Sequence, residues 1–364
     1  MAELAVNVGE TSTKRVRLQG HVQGVGFRPF VYRLATRHGI VGHVQNQLGE
    51  VEVVAQGSAE ALERFIDGLV ADAPPLASPS VLAIDSISKL DHDSFRIIDS
   101  LADTDAQIFV PPDYFMCDEC KAELQNASDR RYAYPFINCT QCGPRYTLIE
   151  ALPYDRENTS MAGFPLCPEC EAEYLDPGDR RFHAEPVACA KCGPQLHFEE
   201  PGCETVTANN AALENAVAAI REGSIVAVKG IGGYHLVCDA LNDEAVATLR
   251  ERKRRPDKPL AVMFPVSGTD GLDIARGHVS FTYEEAALAS GPIRPIVLAR
   301  RKASCALAGN VAPGLDEVGV FLPYSPLHQL LLDALGGPVV ATSGNISGEP
   351  VLTDNGEAAR RLRP

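Results

Sequence analysis

Cys117-Asp118-Glu119-Cys120 and Cys139-Thr140-Gln141-Cys142 return 50 residues later as Cys167-Pro168-Glu169-Cys170 and Cys189-Ala190-Lys191-Cys192. In each half of this repeat, 18 residues separate the two pairs. Two thiolates with two residues between them can reach one ion, and two such knuckles complete a closed tetrahedral site. The spacing therefore predicts two structural zinc sites, one per repeat, in a duplicated four-cysteine module at residues 104–200. The predicted ligands are Cys117, Cys120, Cys139, Cys142, Cys167, Cys170, Cys189 and Cys192.

Other residues keep the same offset, since Asp129–Tyr132 returns as Asp179–Phe182, which is typical of an internal repeat. A redox dithiol would be a single Cys-x-x-Cys, and a disulfide framework needs an oxidising compartment, so zinc is favoured. The spacing leaves open whether each zinc takes both pairs of one repeat or a crossed set. A closed all-thiolate site does no chemistry, so the module is expected to act as a brace or a docking surface.

The Asp-Arg-Arg-aromatic segments of the repeat carry Arg130, Arg131, Arg180 and Arg181. These side chains either form a basic surface or make salt links inside a module with little apolar core, and we favour the second. No sustained basic run matches a phosphate backbone, so this segment does not indicate nucleic-acid binding.

The composition is that of an ordinary globular chain. Its 364 residues are 45% hydrophobic and 22% charged, with a formal net charge of −15. This acidic balance disfavours nonspecific binding of nucleic acid. The first residues lack a basic segment leading into an apolar run, and no stretch of 18 apolar residues exists. We therefore expect a cytoplasmic protein with reduced thiols and no membrane association.

Residues 10–100 show a β-α-β-β-α-β pattern. Strands are predicted at 14–19, 41–47 and 51–56, a helix begins after Ser58, and residues 81–90 with 95–98 supply the last strand. This order is the ferredoxin-like arrangement. We expect an α+β and α/β multidomain chain, of which this is the first domain.

A glycine loop, Gly20–Arg28, leads into the first helix. Its glycines let successive N–H groups converge, and the helix N-terminus adds positive potential, so the loop can hold an anion. Arg28 can grip phosphate oxygens in a bidentate manner. The alternative is that the loop only turns the chain and Arg28 is solvated.

The glycine loop, followed by Asn46, closely resembles the acylphosphatase signature. The resemblance implies that Arg28 and the loop amides bind the phosphoryl group of an acyl phosphate and that Asn46 orients the attacking water. The other binding residues that it implies are Val22, Gln23, Gly24, Val25, Gly26 and Phe27.

Residues 201–364 predict an α/β domain with glycine-rich and basic loops. A helix at 210–221 precedes a strand at 224–229, the glycine-rich stretch Gly230–Leu236 follows, and a basic cluster ends the next helix. Such features at strand ends favour an anionic ligand, such as the phosphates of a nucleotide. The residues proposed to bind it are Lys229, Lys253, Arg255, Lys258, Ser343 and Asn345.

The Lys253-x-Arg255 and Ser343-x-Asn345 motifs, with Lys258-Pro259-Leu260, resemble the YrdC-like family, whose members bind ATP and form carbamoyl-type adenylates. The stretch Lys229–Leu236 is glycine-rich where many relatives carry a Pro-Thr-x-Thr type of sequence. This departure points to one subgroup of that family.

The order of acylphosphatase-like domain, doubled four-cysteine module and YrdC-like domain is similar to the HypF family of [NiFe]-hydrogenase maturation. The resemblance implies a carbamoyltransferase with acylphosphatase activity, which hydrolyses carbamoyl phosphate and activates the carbamate with ATP, together with Mg²⁺, as carbamoyl-adenylate. It further implies transfer to the C-terminal cysteine of a HypE-like acceptor. HypF relatives continue into a C-terminal transfer domain that has no counterpart here, and the YrdC-like domain itself is expected to be incomplete. The sequence leaves open whether the chain is a fragment or a natural truncation.

Two other functions remain open from the sequence. One is a threonylcarbamoyl-adenylate synthase for tRNA modification, under which tRNA or double-stranded RNA would be a partner. The other is a noncatalytic zinc scaffold that binds proteins or RNA. Dependence on carbamoyl phosphate, rather than on threonine and bicarbonate, would distinguish the two enzymes.

Overall fold

The computed structural model describes residues 11–22, 24–47, 50–74, 76–89, 91, 93–98, 112–151 and 154–362. The chain divides into two compact units. The first holds the residues up to Asp113 together with Asn138–Val187, and the second holds Tyr114–Ile137 and the residues from Ala188 onward.

The first unit is built on a five-stranded sheet with the order β4-β1-β3-β2-β5. Its strands are Thr11–His21 (β1), Val41–Gln47 (β2), Glu50–Ser58 (β3), Ser78–Ile87 (β4) and Phe95–Ile97 (β5), and the helices between them are Phe27–Arg37 (α1) and Ala59–Ala71 (α2). Ser58 caps α2 by accepting a hydrogen bond from the Ala61 N–H at 3.3 Å. The β-α-β-β-α-β pattern and the ferredoxin-like order are therefore confirmed.

One prediction for this sheet was wrong. Residues 81–90 and 95–98 were expected to supply one last strand, but β4 pairs with β1 at one edge and β5 pairs with β2 at the other. β5 is parallel to β2, which requires the chain to cross to the far edge, and spacing along the sequence does not reveal such a crossing.

The second unit contains a seven-stranded sheet with the order β6-β7-β12-β8-β11-β10-β9. Its strands are Val226–Gly230 (β6), Gly233–Asp239 (β7), Val262–Met263 (β8), Val279–Ser280 (β9), Val297–Arg301 (β10), Glu317–Phe321 (β11) and Val339–Ser343 (β12). Its helices are Asp118–Gln125 (α3), Asn209–Arg221 (α5), Asp243–Lys253 (α6), Asp273–His278 (α7), Tyr283–Ser290 (α8), Pro326–Leu335 (α9) and Asn355–Arg361 (α10). The pair β8 and β11 is parallel, whereas the other neighbours are antiparallel.

The glycine-rich stretch after β6 forms a tight hairpin and not the expected loop. Gly230 pairs with Gly233, and β7 begins at once. Gly233 has a φ of +142°, and a Cβ there would lie 2.7 Å from Val351 and 2.9 Å from the Leu352 carbonyl oxygen. Glycine is thus required at this position because another segment of backbone passes close by.

The cysteine repeat is visible in its local structure. Cys117 is the N-cap of α3, and Cys167 is the N-cap of the equivalent helix, Pro168–Leu175 (α4), which belongs to the first unit. Arg131 Nε donates to the Ala188 carbonyl at 2.9 Å in the second unit. Its counterpart 50 residues on, Arg181, donates to the Asn138 carbonyl at 3.1 Å in the first. Both arginines are buried, so they hold backbone carbonyls within the fold and do not form a basic surface.

Among the described residues, no helix is both long enough and apolar enough to cross a membrane.

Candidate functional site

The eight cysteines of the repeat form two groups of four. In each group the sulfur atoms lie within 4.8 Å of one another. One group is Cys117, Cys120, Cys139 and Cys142, and the other is Cys167, Cys170, Cys189 and Cys192. The pairs of one repeat therefore come together, which answers the question that spacing had left open.

Both groups have the dimensions of a zinc site. The Cys139 and Cys142 sulfurs are 3.8 Å apart, as are those of Cys189 and Cys192. Zn–S bonds of about 2.3 Å in a tetrahedron place two sulfurs roughly 3.8 Å apart, whereas a disulfide needs about 2.05 Å. None of these eight cysteines forms a disulfide. With four ligands each site is closed, so a metal bound there would brace the fold.

Three glycines with positive φ shape the glycine loop, and the first, Gly20, has a φ of +104°. Gly24 has a φ of +68° and Gly26, the N-cap of α1, a φ of +73°. A Cβ at Gly26 would lie 2.7 Å from Thr140 Oγ1, so the loop packs directly against the knuckle that contains Cys139. Arg28 is the second residue of α1 and is half-buried, where the unbonded N–H groups of a helix N-terminus point outward.

The hydrophobic residues of the loop are structural. Val22, Val25 and Phe27 are each at most 1% exposed and belong to the core of the first unit. Their contribution to an anion site can come only from the backbone, and the Val22 N–H already donates to the Gly20 carbonyl at 2.9 Å. Gln23 lies outside the described residues.

Asn46 lies near the C-terminal end of β2, at the same end of the sheet as the C-terminal end of β1, where the glycine loop starts. It pairs with Val51 of β3, which pairs in turn with Leu18 of β1, two residues before Gly20. Asn46 shares its sheet face with the buried Val44. Its Oδ1 atom is buried and has no hydrogen-bond partner within the described part of the chain. An unsatisfied buried acceptor costs about 1–3 kcal/mol, and a bound water or ligand would remove that cost.

In the second unit, Lys253 and the Ser343–Asn345 turn meet at one point. Lys253 ends α6 and is 2% exposed. Its Nζ donates to the carbonyl oxygens of Ser343 and Asn345 and to Asn345 Oδ1, at 2.5–2.8 Å. Ser343 Oγ donates to the same Oδ1 at 2.7 Å. The three N–H groups of the Lys253 ammonium thus meet three acceptors, so Lys253 fixes the turn. Burial lowers the pKa of Lys253 to about 8.

The other predicted cations are distributed differently. Arg255 donates to the carbonyl oxygens of Lys258 and Pro259 and lines a pocket of about 400 Å³. The Lys258 side chain is exposed. Lys229 donates to Asn355 Oδ1 at 2.7 Å and is not among the residues that line the pocket.

This sheet pocket is lined by residues of strands β7, β10, β11 and β12 and of the segments before β8 and β10. Apolar side chains such as Ile296, Leu298 and Phe321 form most of its surface, and Ser343 lies at its wall. Among the described residues that line it, the charged side chains are Arg255 and Arg294. Such a pocket suits a ligand with a flat apolar part and an anionic part.

Three residues that line this pocket, His235, Tyr324 and Arg294, were missed from the sequence, as was His328 beside it. His235 and Tyr324 line it, and the ring of the fully buried His328 stacks on His235 at 5.5 Å. Burial lowers the pKa of both histidines, that of His328 to about 3, so both rings are neutral near pH 7. The third missed residue, Arg294, lies in an irregular segment with no motif, and no sequence signal distinguished it.

Three sequence families match successive parts of the chain. The Acylphosphatase family matches residues 14–97, the HypF finger family matches 116–149 and 166–199, and the family described as Telomere recombination, of the Sua5/YciO/YrdC type, matches 218–364. The fold and the cysteine groups thus define a multidomain protein of acylphosphatase-like, four-cysteine and YrdC-like parts.

Similarity to whole proteins is more specific. The chain is 50% identical to carbamoyltransferase HypF of Synechocystis sp. over 96% of its length. It matches a crystal structure of full-length HypF in the phosphate- and nucleotide-bound form with a TM-score of 0.87 and 40% identity, over 98% of its length. An acylphosphatase of Staphylococcus aureus is 46% identical over 67 residues, which cover 75% of that protein. The chain belongs to the HypF family. It spans 45% of the Synechocystis protein and 46% of the crystallised one.

Proposed function

We propose that the first unit hydrolyses carbamoyl phosphate to carbamate and phosphate. The observation that carries this proposal is Asn46 Oδ1, which is buried, has no hydrogen-bond partner among the described residues and lies at the same end of the sheet as the glycine loop. An acceptor in this position can take a hydrogen bond from a water molecule and direct the oxygen of that water toward a phosphoryl group held by the loop.

In the proposed reaction, the phosphoryl oxygens bind Arg28 and the N–H groups at the start of α1. The water held by Asn46 attacks phosphorus, and the bond from phosphorus to the carbamoyl oxygen breaks. The leaving group departs as carbamate, and the water gives its protons to solvent and phosphate. Positioning and charge stabilisation suffice for such a reaction, so no protein nucleophile is needed.

For the second unit we propose activation of carbamate with ATP. A carbamate oxygen attacks the α-phosphorus, and the bond to the β-phosphate oxygen breaks, which yields carbamoyl-adenylate and pyrophosphate. The apolar surface of the sheet pocket suits the nucleoside, while Arg255 and the Ser343–Asn345 turn suit its phosphates. The related HypF structure was solved with phosphate and a nucleotide bound, which supports this assignment.

The remaining parts of the proposal follow from the family. The two cysteine groups would each hold a structural zinc, and Mg²⁺ would accompany the ATP phosphates. The carbamoyl group would pass to the C-terminal cysteine of a HypE-like acceptor. We propose that these reactions take place in the cytoplasm, because zinc thiolates need reducing conditions.

The decisive experiment is ATP–pyrophosphate exchange by this chain, with and without carbamoyl phosphate, alongside direct measurement of released phosphate. We expect exchange that depends on carbamoyl phosphate. Exchange that requires threonine and bicarbonate instead would favour a threonylcarbamoyl-adenylate synthase. The absence of both exchange and phosphate release would favour a noncatalytic zinc scaffold.

Arg28→Ala tests the first site separately. Loss of a phosphoryl-binding cation should lower phosphate release by at least about a hundredfold without unfolding the chain. Arg37→Ala is the matched control, because Arg37 lies on the same helix and is largely exposed. Unchanged release by Arg28→Ala would refute the assignment of this site.

A further inference from the structure

Arg294 is a pocket residue whose guanidinium group is only partly satisfied by the protein. It lies just before β10 with a φ of +50° and lines the sheet pocket. Its Nε and Nη1 atoms are both buried and have no hydrogen-bond partner in the part of the chain that the structure describes. Buried N–H donors without an acceptor are unfavourable, so this arrangement is one that a bound anion would stabilise.

The Arg294 side chain is nevertheless held in place. Its guanidinium carbon lies 4.4 Å from the centre of the Phe115 ring, a favourable cation–π distance. The nearby carboxylate of Asp118 attracts it electrostatically. Phe115 thus contacts one face of the guanidinium group, and a planar or tetrahedral oxyanion would bind at its edge, where the N–H groups lie.

The register of the sheet places Arg294 at the end of the pocket opposite to Ser343. Val340, Val262, Val320 and Val297 form one row across β12, β8, β11 and β10. Two antiparallel pairings and one parallel pairing make β12 and β10 run in the same direction. Ser343 comes three residues after Val340, and Arg294 comes three residues before Val297. The two residues therefore lie on opposite sides of the row.

Arg255 belongs to the Ser343 end. It donates to the Pro259 carbonyl at 2.6 Å, and Ala261, which follows Leu260 into β8, accepts a hydrogen bond from the N–H of Ala341. The pocket therefore has two cationic ends separated by the apolar surface of Leu298, Gly319 and Phe321. The Ser343–Asn345 turn and Arg255 lie at one end of the pocket, and Arg294 lies at the other.

We propose that Arg294 is a second anion-binding residue of the sheet pocket, positioned by Phe115, and that it binds an oxyanion of the reacting pair. This inference rests on the proposed function of the pocket. The oxyanion is either a phosphate group of ATP or the carboxylate-like group of the small acid that ATP activates. Both share the chemistry that a guanidinium group recognises, and binding measurements distinguish them.

The test compares the wild type with Arg294→Gln and Arg294→Lys by titration calorimetry and thermal shift. The probes are ATP, adenosine, inorganic pyrophosphate and bicarbonate, the last as a stable analogue of carbamate. Arg300→Gln is the matched control, since Arg300 lies on β10, the strand that Arg294 precedes, is exposed and does not line the pocket.

If Arg294 binds a nucleotide phosphate, Arg294→Gln should weaken ATP and pyrophosphate binding at least tenfold and leave adenosine binding unchanged. If it binds the acid, ATP binding should persist while bicarbonate binding and the apparent KM for carbamoyl phosphate in the exchange reaction change at least tenfold. Arg294→Lys should recover part of either loss. Changes below threefold for all probes, equal to those of Arg300→Gln, would overturn the proposal.

The outcomes also separate this inference from the proposed function. If the wild type shows no exchange but pyrophosphate or bicarbonate stabilises it more than Arg294→Gln, the proposed reaction fails and the anion site stands. If neither anion nor ATP distinguishes the two proteins, the site fails. Phe115→Leu, which keeps an apolar side chain but removes the aromatic face, should weaken the same probe as Arg294→Gln by a smaller factor; an unchanged affinity would remove Phe115 from the proposal.

Discussion

The glycine loop of the first unit and the sheet pocket of the second both present cationic groups, but the chain builds them in different ways. The loop is one continuous segment, Gly20–Arg28, and Asn46 is added by a neighbouring strand. The pocket draws its lining residues from four strands, β7, β10, β11 and β12, and from the segments before β8 and β10. The first depends on backbone conformation at a few glycines, and the second depends on the packing of distant side chains.

This difference predicts how each site should fail. A site made of backbone N–H groups is sensitive to any change that moves the loop, including changes at residues that never touch a ligand. A site made of separate side chains should lose individual contacts one at a time, because each side chain is supported by its own neighbours, as Lys253 is by the Ser343–Asn345 turn.

The largest expected effect sharpens the comparison at the support of the loop. Cys139→Ser removes a sulfur from the first cysteine group, next to Thr140, which packs against Gly26. Zinc content should fall from two ions per chain to one, and because metal binding is coupled to folding, the melting temperature should fall as well. Phosphate release from carbamoyl phosphate should also decrease. Metal analysis and thermal melts check this, with Cys305→Ser, a lone half-buried cysteine, as the control; two zinc ions in Cys139→Ser would disprove the ligand assignment.

An intermediate effect is expected when a methyl group is placed in the loop. Gly26→Ala puts a Cβ at a φ of +73° and 2.7 Å from Thr140 Oγ1. Backbone strain of about 1–2 kcal/mol and overpacking of about 1–3 kcal/mol should add, and phosphate release should drop. Gly39→Ala has a similar φ of +64° with no atom within 4 Å, so it should show the strain alone with normal activity. Denaturant unfolding and phosphate assays measure both, and equal behaviour of the two variants would show that the loop does not need this contact.

The smallest expected effect concerns the histidines beside the sheet pocket. His328 has a pKa lowered to about 3 by burial and by the neighbouring His235, against about 6.5 in the unfolded chain. As the pH falls from 7 to 5.5, the unfolded state takes up a proton that the folded state refuses, so folding should lose about 1 kcal/mol. His328→Phe should remove this part of the pH dependence, whereas His197→Phe, at an exposed position in the same unit, should not. Identical pH profiles for wild type and His328→Phe, measured by chemical denaturation, would contradict the assignment.

Sequence reasoning succeeded where the chemistry is local. The four Cys-x-x-Cys knuckles, the Ser58 cap and the glycine loop each depend on residues only a few positions apart, and each is present as expected. Sequence reasoning was wrong for β5, the strand at the second edge of its sheet. It also did not identify β11, a short strand whose apolar pattern contains Gly319. Pairing partners across a sheet are set by long-range packing, which periodicity does not encode.

The pocket shows the same limit at the level of single residues. The sequence predicted that Lys253 and Lys229 bind phosphate, and this stays a prediction. The structure adds contacts that the motifs do not reveal: the Lys253 ammonium donates to the Ser343–Asn345 turn, and Lys229 donates to Asn355. Its neighbour Gly230 lies where a Cβ would be 3.3 Å from the His235 ring, so glycine at this position allows close packing against that ring.

The sequence by itself determined the order of the three parts, the eight cysteines of the two four-cysteine groups and the glycine loop with Arg28. These follow from spacing and from the conformational freedom of glycine, which are properties of neighbouring residues. Only the tertiary structure decided that each zinc group takes both pairs of one repeat, that Asn46 Oδ1 is buried without a partner, and that Arg294 faces the pocket from a stack on Phe115. The reason is physical: burial and desolvation depend on which distant segments come to cover a side chain, and residues 179 positions apart carry no mark of their contact.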